Sequence, residues 1–180
     1  RMYAAQGRAA TNELAAKAEH LFRRDADISD YYNNKMSGGK WNHMMDQTHI
    51  GYTYWQQPEK NVMPEIKRID LPWHAEMGVA VEGSSNWRPE SENLQLPEFD
   101  NFNRQSFYIE IFNRGSNLFA YSVKAEQPWI NISSPRGEIK DETRLCITIN
   151  WSKASAGRTV VPIKIEGAGK SVTVNAIVNN

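Results

Sequence analysis

Cysteine and net charge are the two properties that this sequence most clearly lacks. Cys146 is the only cysteine among 180 residues, which excludes an internal disulfide, and its apolar neighbours predict a small buried side chain. The 21 basic residues balance the 21 acidic ones, so the composition favours neither nucleic acid nor a membrane surface as a partner. No apolar run approaches the roughly 20 residues of a membrane-spanning helix. A chain of this length can bury about 70% of its unfolded surface, which is enough for one domain or for one domain with an appendage.

Residues 1–70 carry a helical pattern that gives way to an irregular, aromatic segment. Because the sequence begins with Arg1 inside this pattern and has no signal peptide, we expect a piece of a longer polypeptide. The alanine-rich residues 3–24 predict one helix with a narrow apolar stripe, which needs a partner surface. A second helix is predicted after an N-cap at Asp25 or Asp27. The spacing of residues 41–48 leaves open a short third helix, so two or three helices are expected. The stripe of the first helix consists of Leu14, Ala18, Leu21 and Phe22.

Residues 71–180 are predicted to form a separate, mainly β domain. β-branched and aromatic residues alternate there with polar ones, and turn residues recur at intervals of about 8 to 12 residues. This pattern is typical of a seven-stranded antiparallel β-sandwich of immunoglobulin-like type. Leu145, Ile147 and Ile149 are expected to face the core, and Pro162 predicts an edge or bulged strand. The expected strands are Gly78–Gly83, Phe107–Phe112, Leu118–Ala125, Trp129–Ser133, Arg144–Trp151, Thr159–Glu166 and Ser171–Val178.

The segment Lys40–Pro58, KWNHMMDQTHIGYTYWQQP, combines aromatic rings with amide, hydroxyl and imidazole groups. Since a buried polar group costs about 1–3 kcal/mol unless it is hydrogen-bonded, we expect this segment to be packed and its polar atoms matched. His43, Asp46 and His49 have the side chains of metal ligands. On a helix, however, the third would lie about 240° around from the first. Hydrogen-bonded structural histidines are therefore the preferred interpretation, and no metal site is predicted.

Tryptophans outside the predicted strands are the candidate carbohydrate contacts, because sugars stack their apolar faces on aromatic rings. The alternative, which we favour for each of them, is packing at the junction between the helices and the sandwich. Trp129 and Trp151 lie within the predicted sandwich and are expected to be packed. The candidate sugar-binding residues are Trp41, Trp55, Trp73 and Trp87.

No catalytic residue is predicted. A glycosidase needs two carboxyl groups on either side of the scissile bond, one of them with a raised pKa. The chain has 21 acids, but no local pattern marks a buried acid with a raised pKa, so a solvated surface is the better interpretation. The acids considered, which lie in or near connections and strand ends, are Glu76, Glu82, Glu90, Glu92, Glu98 and Asp100. Neither an activated nucleophile nor a phosphate-binding loop nor a cofactor motif is present.

The block Lys40–Pro58, followed by NVMP at Asn61–Pro64, resembles the C-terminal region of glycoside hydrolase family 115, which cleaves 4-O-methylglucuronic acid side chains from xylan. The similarity continues in GVAVEGS at Gly78–Ser84, LPEFD at Leu96–Asp100 and FYIEIFNRG at Phe107–Gly115. The resemblance implies the end of a helical domain at residues 1–70 and a C-terminal β-sandwich at residues 71–180. The family's catalytic acids belong to a preceding barrel, so none is carried onto this chain.

The resemblance implies a supporting role in a xylan α-glucuronidase, in which these residues brace the catalytic domain or a dimer interface without hydrolytic activity of their own. The implied partners are the missing N-terminal catalytic domain, xylan or glucuronoxylan oligosaccharides and a second copy of the chain, at a periplasmic or extracellular location and without a cofactor. Two alternatives stay open. An independent carbohydrate-binding module would expose Trp55 or Trp87 beside a groove, and a purely structural or dimerising element would expose an apolar face around Leu14, Ala18 and Phe22. An enzyme would instead need two acids that converge in a pocket.

Overall fold

The computed structural model describes all residues, Arg1–Asn180, and the chain divides into two units. The sandwich unit consists of residues 2–10 and 70–180, and the inserted unit consists of residues 11–69 together with Arg1. The boundary at Ile69 and Asp70 lies within one residue of the division expected at residues 70 and 71. Residues 2–10, in contrast, were expected in the helical part and belong to the sandwich unit.

The sandwich unit contains two β-sheets. The first is five-stranded in the order β2-β1-β5-β9-β7, and the second is six-stranded with the path β3-β11-β10-β6-β8, on which β4 also pairs with β11. Strands β6, β9 and β10 alternate between core and solvent, as half-buried strands do, whereas all five residues of β1 are buried. The strands are β1 (Met77–Val81), β2 (Trp87–Arg88), β3 (Leu94–Gln95), β4 (Phe99–Asp100), β5 (Phe107–Asn113), β6 (Phe119–Ala125), β7 (Ile130–Ile132), β8 (Arg136–Ile139), β9 (Glu142–Ile149), β10 (Arg158–Gly167) and β11 (Lys170–Asn179).

The hydrophobic core lies between the two sheets, which makes the unit a β-sandwich. Leu145, Ile147 and Ile149 of β9 face this core, as their alternation predicts. Trp129 is buried in the same cluster and Trp151 packs against it, which confirms both predictions. On the outer face of the five-stranded sheet, a second, small cluster consists of Ala80, Trp87 and Phe112.

The strand count differs from the prediction, since there are eleven strands and not seven. All seven expected strands are present with small shifts of their ends. The four additional strands are β2, β3, β4 and β8, which have only two to four residues each. The first three lie in the polar connection of residues 84–102 that was expected to be an irregular loop. Because β3 and β4 run parallel to β11, the sandwich is not purely antiparallel.

Two residues of the sandwich contradict their sequence-based predictions. Cys146 is exposed, because its neighbours Leu145 and Ile147 both face the core and a period of two turns the residue between them outward. The strand that contains Pro162 is not an edge strand, since β10 pairs with both β11 and β6. Pairing with β6 nevertheless begins only at Ile163, so the proline lies at the end of that ladder, where its carbonyl accepts from the Glu126 amide at 3.1 Å.

The helical elements also differ from those expected. A short helix α1 (Met2–Gln6) belongs to the sandwich unit and ends at Gly7, which has a φ of 65°. The long helix α2 (Thr11–Asp30) continues through Asp25 and Asp27, so these residues do not cap a second helix. A π-helical turn (Tyr31–Lys35) and a 3-10 turn (Met36–Gly39) follow. Residues 41–69 contain turns and bends but no third helix.

The inserted unit has almost no apolar core. All members of the two hydrophobic clusters lie between Met77 and Val178, and Ala15 is the only hydrophobic residue of the inserted unit that is buried. Its two ends are joined, because the Asn12 side chain donates to the Ile69 carbonyl at 2.8 Å and accepts from the Ile69 amide at 3.0 Å. No helix of the protein is both long and apolar enough to span a membrane.

Candidate functional site

The aromatic segment Lys40–Pro58 lies at the surface of the inserted unit and not in a core. Trp55 is 89% exposed, and Tyr54 stands edge-on to it with the ring centroids 6.5 Å apart. Met44 and Trp41 are exposed as well. The expectation that this segment is packed is therefore not met within these residues. An isolated exposed ring is ordinary, but a contiguous run of them marks an interaction surface.

Several backbone amides of the same segment are hydrogen-bonded, as was expected for its polar atoms. Asn33 accepts a hydrogen bond from the Met45 amide at 2.9 Å and donates to Asp46 at 2.8 Å. Asn61 accepts from the amides of His49 and Ile50 at 2.9 and 3.0 Å. The side chains of Asn33 and Asn61 thus supply hydrogen bonds that backbone groups would otherwise form in regular secondary structure. They hold the segment in a defined shape.

The residues with metal-ligating side chains are separated into two pairs. His43 contacts Asp46 through Nδ1, while the Nε2 of His49 lies 2.9 Å from the Asp25 carboxylate on α2. The hydrogen bond to Asp25 raises the pKa of His49 above its ordinary value. His43 and His49 are thus each hydrogen-bonded to one carboxylate, and no group of three His, Cys, Asp or Glu side chains is present. This arrangement matches the preferred interpretation of hydrogen-bonded structural histidines.

The candidate tryptophans of the sandwich unit have opposite environments. Trp87 is only 6% exposed, because its ring packs on Phe112 and lies under the Arg114 guanidinium at 5.1 Å. A ring that is this deeply buried leaves almost no surface on which a sugar could stack in this arrangement. Trp73 is 77% exposed, and its backbone is fixed by Ser116, whose hydroxyl donates to the Trp73 carbonyl at 3.1 Å. Of the two, only Trp73 presents an exposed ring.

A buried arginine is the best-built polar site of the protein. Arg8 is 1% exposed, and its guanidinium donates to Glu142 and to Glu110 at 2.8 Å each. The group also lies 4.6 Å from the centre of the Tyr3 ring and 4.2 Å from that of Phe112. The Gln6 side chain accepts from its Nε at 2.6 Å. Arg8 thereby fixes residues 2–10 onto the outer face of the five-stranded sheet.

Sequence reasoning missed this site, and no local signal could have found it. The carboxylates that bind Arg8 lie 102 and 134 residues further along the chain. They meet because β5 and β9 are neighbours in the sheet, where Glu142 stands opposite Phe112 and Arg144 opposite Glu110. A search of short sequence windows does not detect such a pairing.

Glu110 and Glu142 are carboxylates that converge, but their electrostatics differ from those of a glycosidase pair. Burial alone would raise the pKa of Glu110, yet hydrogen bonds from Arg8 and Arg144 outweigh it and hold that pKa below its ordinary value. A general acid requires a raised pKa. Glu110 is therefore suited to binding cations and not to protonating a leaving group.

Comparisons with known proteins give only partial likenesses of fold. No protein-family model and no curated protein matches the chain. PapD-like domain 7 of human CEP192 is 10% identical with a TM-score of 0.44, over 68% of this chain and 97% of that one. The CsuC–CsuE chaperone–tip adhesion subunit complex of Acinetobacter baumannii is 15% identical with a TM-score of 0.40, over 47% of this chain and 53% of that one. A GH5 xyloglucanase of Bacteroides ovatus is 17% identical with a TM-score of 0.37, over 56% of this chain and 18% of that one. The matched part thus spans about half or less of the last two proteins, and nothing about function follows from these likenesses.

Proposed function

We propose that this chain is the C-terminal helical and β-sandwich part of a xylan α-glucuronidase of the family 115 type, and that it braces the catalytic domain without cleaving the substrate itself. The sandwich is of the immunoglobulin-like type in this proposal, and the parent enzyme works in the periplasm or outside the cell. The sequence block Lys40–Pro58 motivates the family. The observation that carries the supporting role is that the inserted unit has exposed apolar side chains in place of a core.

Most of the exposed apolar residues of the inserted unit lie on α2 and on the aromatic segment. On α2, Leu14, Leu21 and Ile28 are exposed at intervals of seven residues and so lie on one stripe; Leu14 and Leu21 belong to the stripe that was predicted to need a partner. Burying one large apolar side chain is worth about 1.5–3 kcal/mol, so covering even four of them would contribute several kcal/mol to an assembled enzyme. The exposed large hydrophobic residues of this unit are Leu14, Leu21, Ile28, Tyr31, Trp41, Met44, Met45, Tyr52, Tyr54, Trp55 and Val62.

The two carboxylates that converge in the sandwich unit, Glu110 and Glu142, also support a non-catalytic role. Glu110 and Glu142 both form ion pairs with Arg8, and the pKa of Glu110 is held below its ordinary value by hydrogen bonds from Arg8 and Arg144. A retaining or inverting glycosidase instead needs one carboxyl group that stays protonated near neutral pH. In this proposal, bond cleavage takes place in the catalytic barrel that precedes these residues.

The native polypeptide tests this proposal directly. An antibody raised against the 180-residue chain is used to isolate the polypeptide from its source cells, and its intact mass and its release of 4-O-methylglucuronic acid from glucuronoxylan are measured. We expect a mass several times the 20.6 kDa of this chain and clear release of the acid, while the 180-residue chain alone releases none. A native polypeptide of about this size, or one without activity on glucuronoxylan, would refute the proposal.

A matched pair of variants tests the bracing role within the parent enzyme. Trp55→Ala removes an exposed ring of the inserted unit, and Phe102→Ala removes a ring that is exposed on a loop of the sandwich unit. We expect Trp55→Ala to lower the unfolding temperature of the parent enzyme but not that of the isolated chain, because only the parent covers the ring. Phe102→Ala should leave both temperatures unchanged. Equal effects in both proteins would contradict the role of the aromatic segment.

The second candidate function is an independent carbohydrate-binding module, and Trp73 is the residue that favours it. Its ring is exposed while Ser116 fixes its backbone, as is typical of a preorganised stacking platform. This function predicts that the isolated chain binds glucuronoxylan and that Trp73→Ala abolishes the binding. A purely structural or dimerising element predicts no binding, and a dimer that Leu21→Asp dissociates.

A further inference from the structure

The outer face of the six-stranded sheet carries a concave, basic surface that the proposed bracing role does not use. A depression of about 800 Å³ is bounded by Pro135 and by the side chains of strands β6, β8 and β10. A second depression of about 240 Å³ shares Lys124 and Lys164 with it and continues towards Pro162. We call the two together the basic groove. The residues whose polar side chains line it are Ser122, Lys124, Glu126, Arg136, Lys164, Glu166 and Thr173.

The strand register places two lysines of the groove directly opposite each other. Lys124 on β6 faces Lys164 on β10, and Thr173 on β11 continues the row. In the next row, Arg136, Ser122 and Glu166 stand side by side. Like charges in directly opposite positions of a sheet are destabilising. The sandwich thus tolerates a repulsive pair at the centre of the groove, which a bound anion would neutralise.

The cations of the groove are only partly neutralised by the protein. Lys164 forms an ion pair with Glu166 at 2.6 Å. Lys124 and Arg136 are exposed and take part in none of the ion pairs of the chain. The larger depression therefore has three cationic side chains against one carboxylate, although the chain as a whole is neutral. Such a local excess of positive charge attracts an anionic ligand.

We propose that the basic groove binds a saccharide chain bearing a uronic acid, with the uronate carboxylate between Lys124 and Lys164 and within reach of Arg136. The assignment of a saccharide rests on the proposed function. Each uronosyl group brings one carboxylate among many hydroxyls, and the groove matches this composition. Its lysines suit the carboxylate, while Glu126, Glu166 and the hydroxyls of Ser122 and Thr173 suit sugar hydroxyls.

The same lining disfavours densely charged polymers. Glu126 and Glu166 would repel closely spaced phosphates or sulfates. No aromatic ring lines the groove, so nucleotide bases have nothing on which to stack. A sparsely charged chain with many hydroxyl groups is the ligand class that remains.

Binding to the intact 180-residue chain tests this inference. A xylo-oligosaccharide with one 4-O-methylglucuronic acid side chain is titrated and compared with the unsubstituted oligosaccharide of the same length. We expect the acidic ligand to bind at least tenfold more tightly and the difference to shrink as salt is added. Equal affinity for the two ligands, absence of binding, or tighter binding of a short single-stranded DNA would overturn the inference.

Matched lysine variants locate the site and control for folding. Lys124→Gln should weaken binding of the acidic ligand at least tenfold, while Lys153→Gln, at an exposed lysine outside the groove, should leave it unchanged. Because Lys124→Gln removes a repulsive neighbour of Lys164, the variant should unfold at the same temperature as the parent chain or a higher one. A loss of binding that is equal in both variants would contradict the assignment.

The outcomes separate this inference from the function on which it rests. If the native polypeptide releases glucuronic acid but the chain does not bind the acidic ligand, the inference is wrong and the proposed function stands. If the chain binds through Lys124 but the native polypeptide releases no glucuronic acid, the groove stands and the enzymatic assignment is wrong.

Discussion

Replacing Arg8 by alanine removes the one guanidinium that joins residues 2–10 to both β5 and β9. The side chain is almost completely desolvated, and removing one partner of a buried ion pair costs about 3–5 kcal/mol, because the other charge is left behind. Here Glu142 is partly exposed and Glu110 keeps its second partner Arg144, so we expect the lower end of this range, about 3 kcal/mol. For a domain of about 120 residues this corresponds to a fall of roughly 10 °C in unfolding temperature.

Denaturant and thermal unfolding followed by tryptophan fluorescence measure this loss, because Trp87 lies in the small cluster next to Phe112, which Arg8 covers. Arg144→Ala is the matched control, since it also removes a guanidinium from Glu110 but one that is 61% exposed. An exposed ion pair contributes only about 0–1 kcal/mol. If both variants lose the same stability, or if Arg8→Ala loses less than 1 kcal/mol, the argument that residues 2–10 are clamped through a desolvated arginine is refuted.

The remaining predictions concern pH, a close backbone contact and the independence of the two units. The pKa of Glu110 is lowered in the folded protein, so its stabilising contribution is complete above the unfolded value of 4.5 and is lost as the pH falls below that value. Between pH 6 and pH 3, the unfolding temperature of the unmodified chain should therefore drop more steeply than that of the Glu110→Gln variant. Gly115→Ala should destabilise the sandwich by about 3 kcal/mol in denaturant titrations, because a Cβ would lie 1.7 Å from the His74 carbonyl oxygen and force a backbone shift; a neutral variant would contradict this. Replacing residues 11–69 by a short glycine–serine linker should leave a sandwich that unfolds cooperatively at an unchanged temperature, because the ends of that segment are hydrogen-bonded to each other and both apolar clusters lie outside it; an unfolded product would show that the inserted unit is needed for the fold.

Sequence patterns predicted the longer strands, in which apolar and polar residues alternate. They did not predict the short strands, which are recognisable only by their hydrogen bonds to a neighbouring strand. Leu145, Ile147 and Ile149 alternate with polar residues over a full strand, so their orientation follows from the period of two. The two-residue strand β3 (Leu94–Gln95) has no period at all and exists because β11 offers it a parallel partner. The same rule that oriented Leu145 also turns Cys146 outward, and the expectation of a buried thiol overlooked it.

The helical part shows a different limit of sequence reasoning. Gly7 interrupts the alanine-rich pattern, yet helix propensity alone does not say whether one glycine ends a helix or is tolerated within it. Asp25 has the side chain of an N-cap, but the preceding turn of α2 already satisfies the backbone there. For the site, sequence patterns lead to no prediction for Glu110 or Glu142, which the fold brings to Arg8 through the neighbouring strands β5 and β9.

The sandwich unit and the inserted unit are held in shape by different interactions. This difference affects how the aromatic segment would bind the catalytic domain in the proposed role. A core of buried side chains holds the sandwich, whereas side-chain amides of Asn33 and Asn61 hold the backbone around residues 45–50. Much of the conformational entropy of that backbone is therefore lost before any partner arrives. A preordered surface binds more tightly than a flexible one of equal area, because less ordering remains to be done on association. Under the proposed bracing role, Asn33 and Asn61 would therefore be residues on which the affinity of the aromatic segment for the catalytic domain depends.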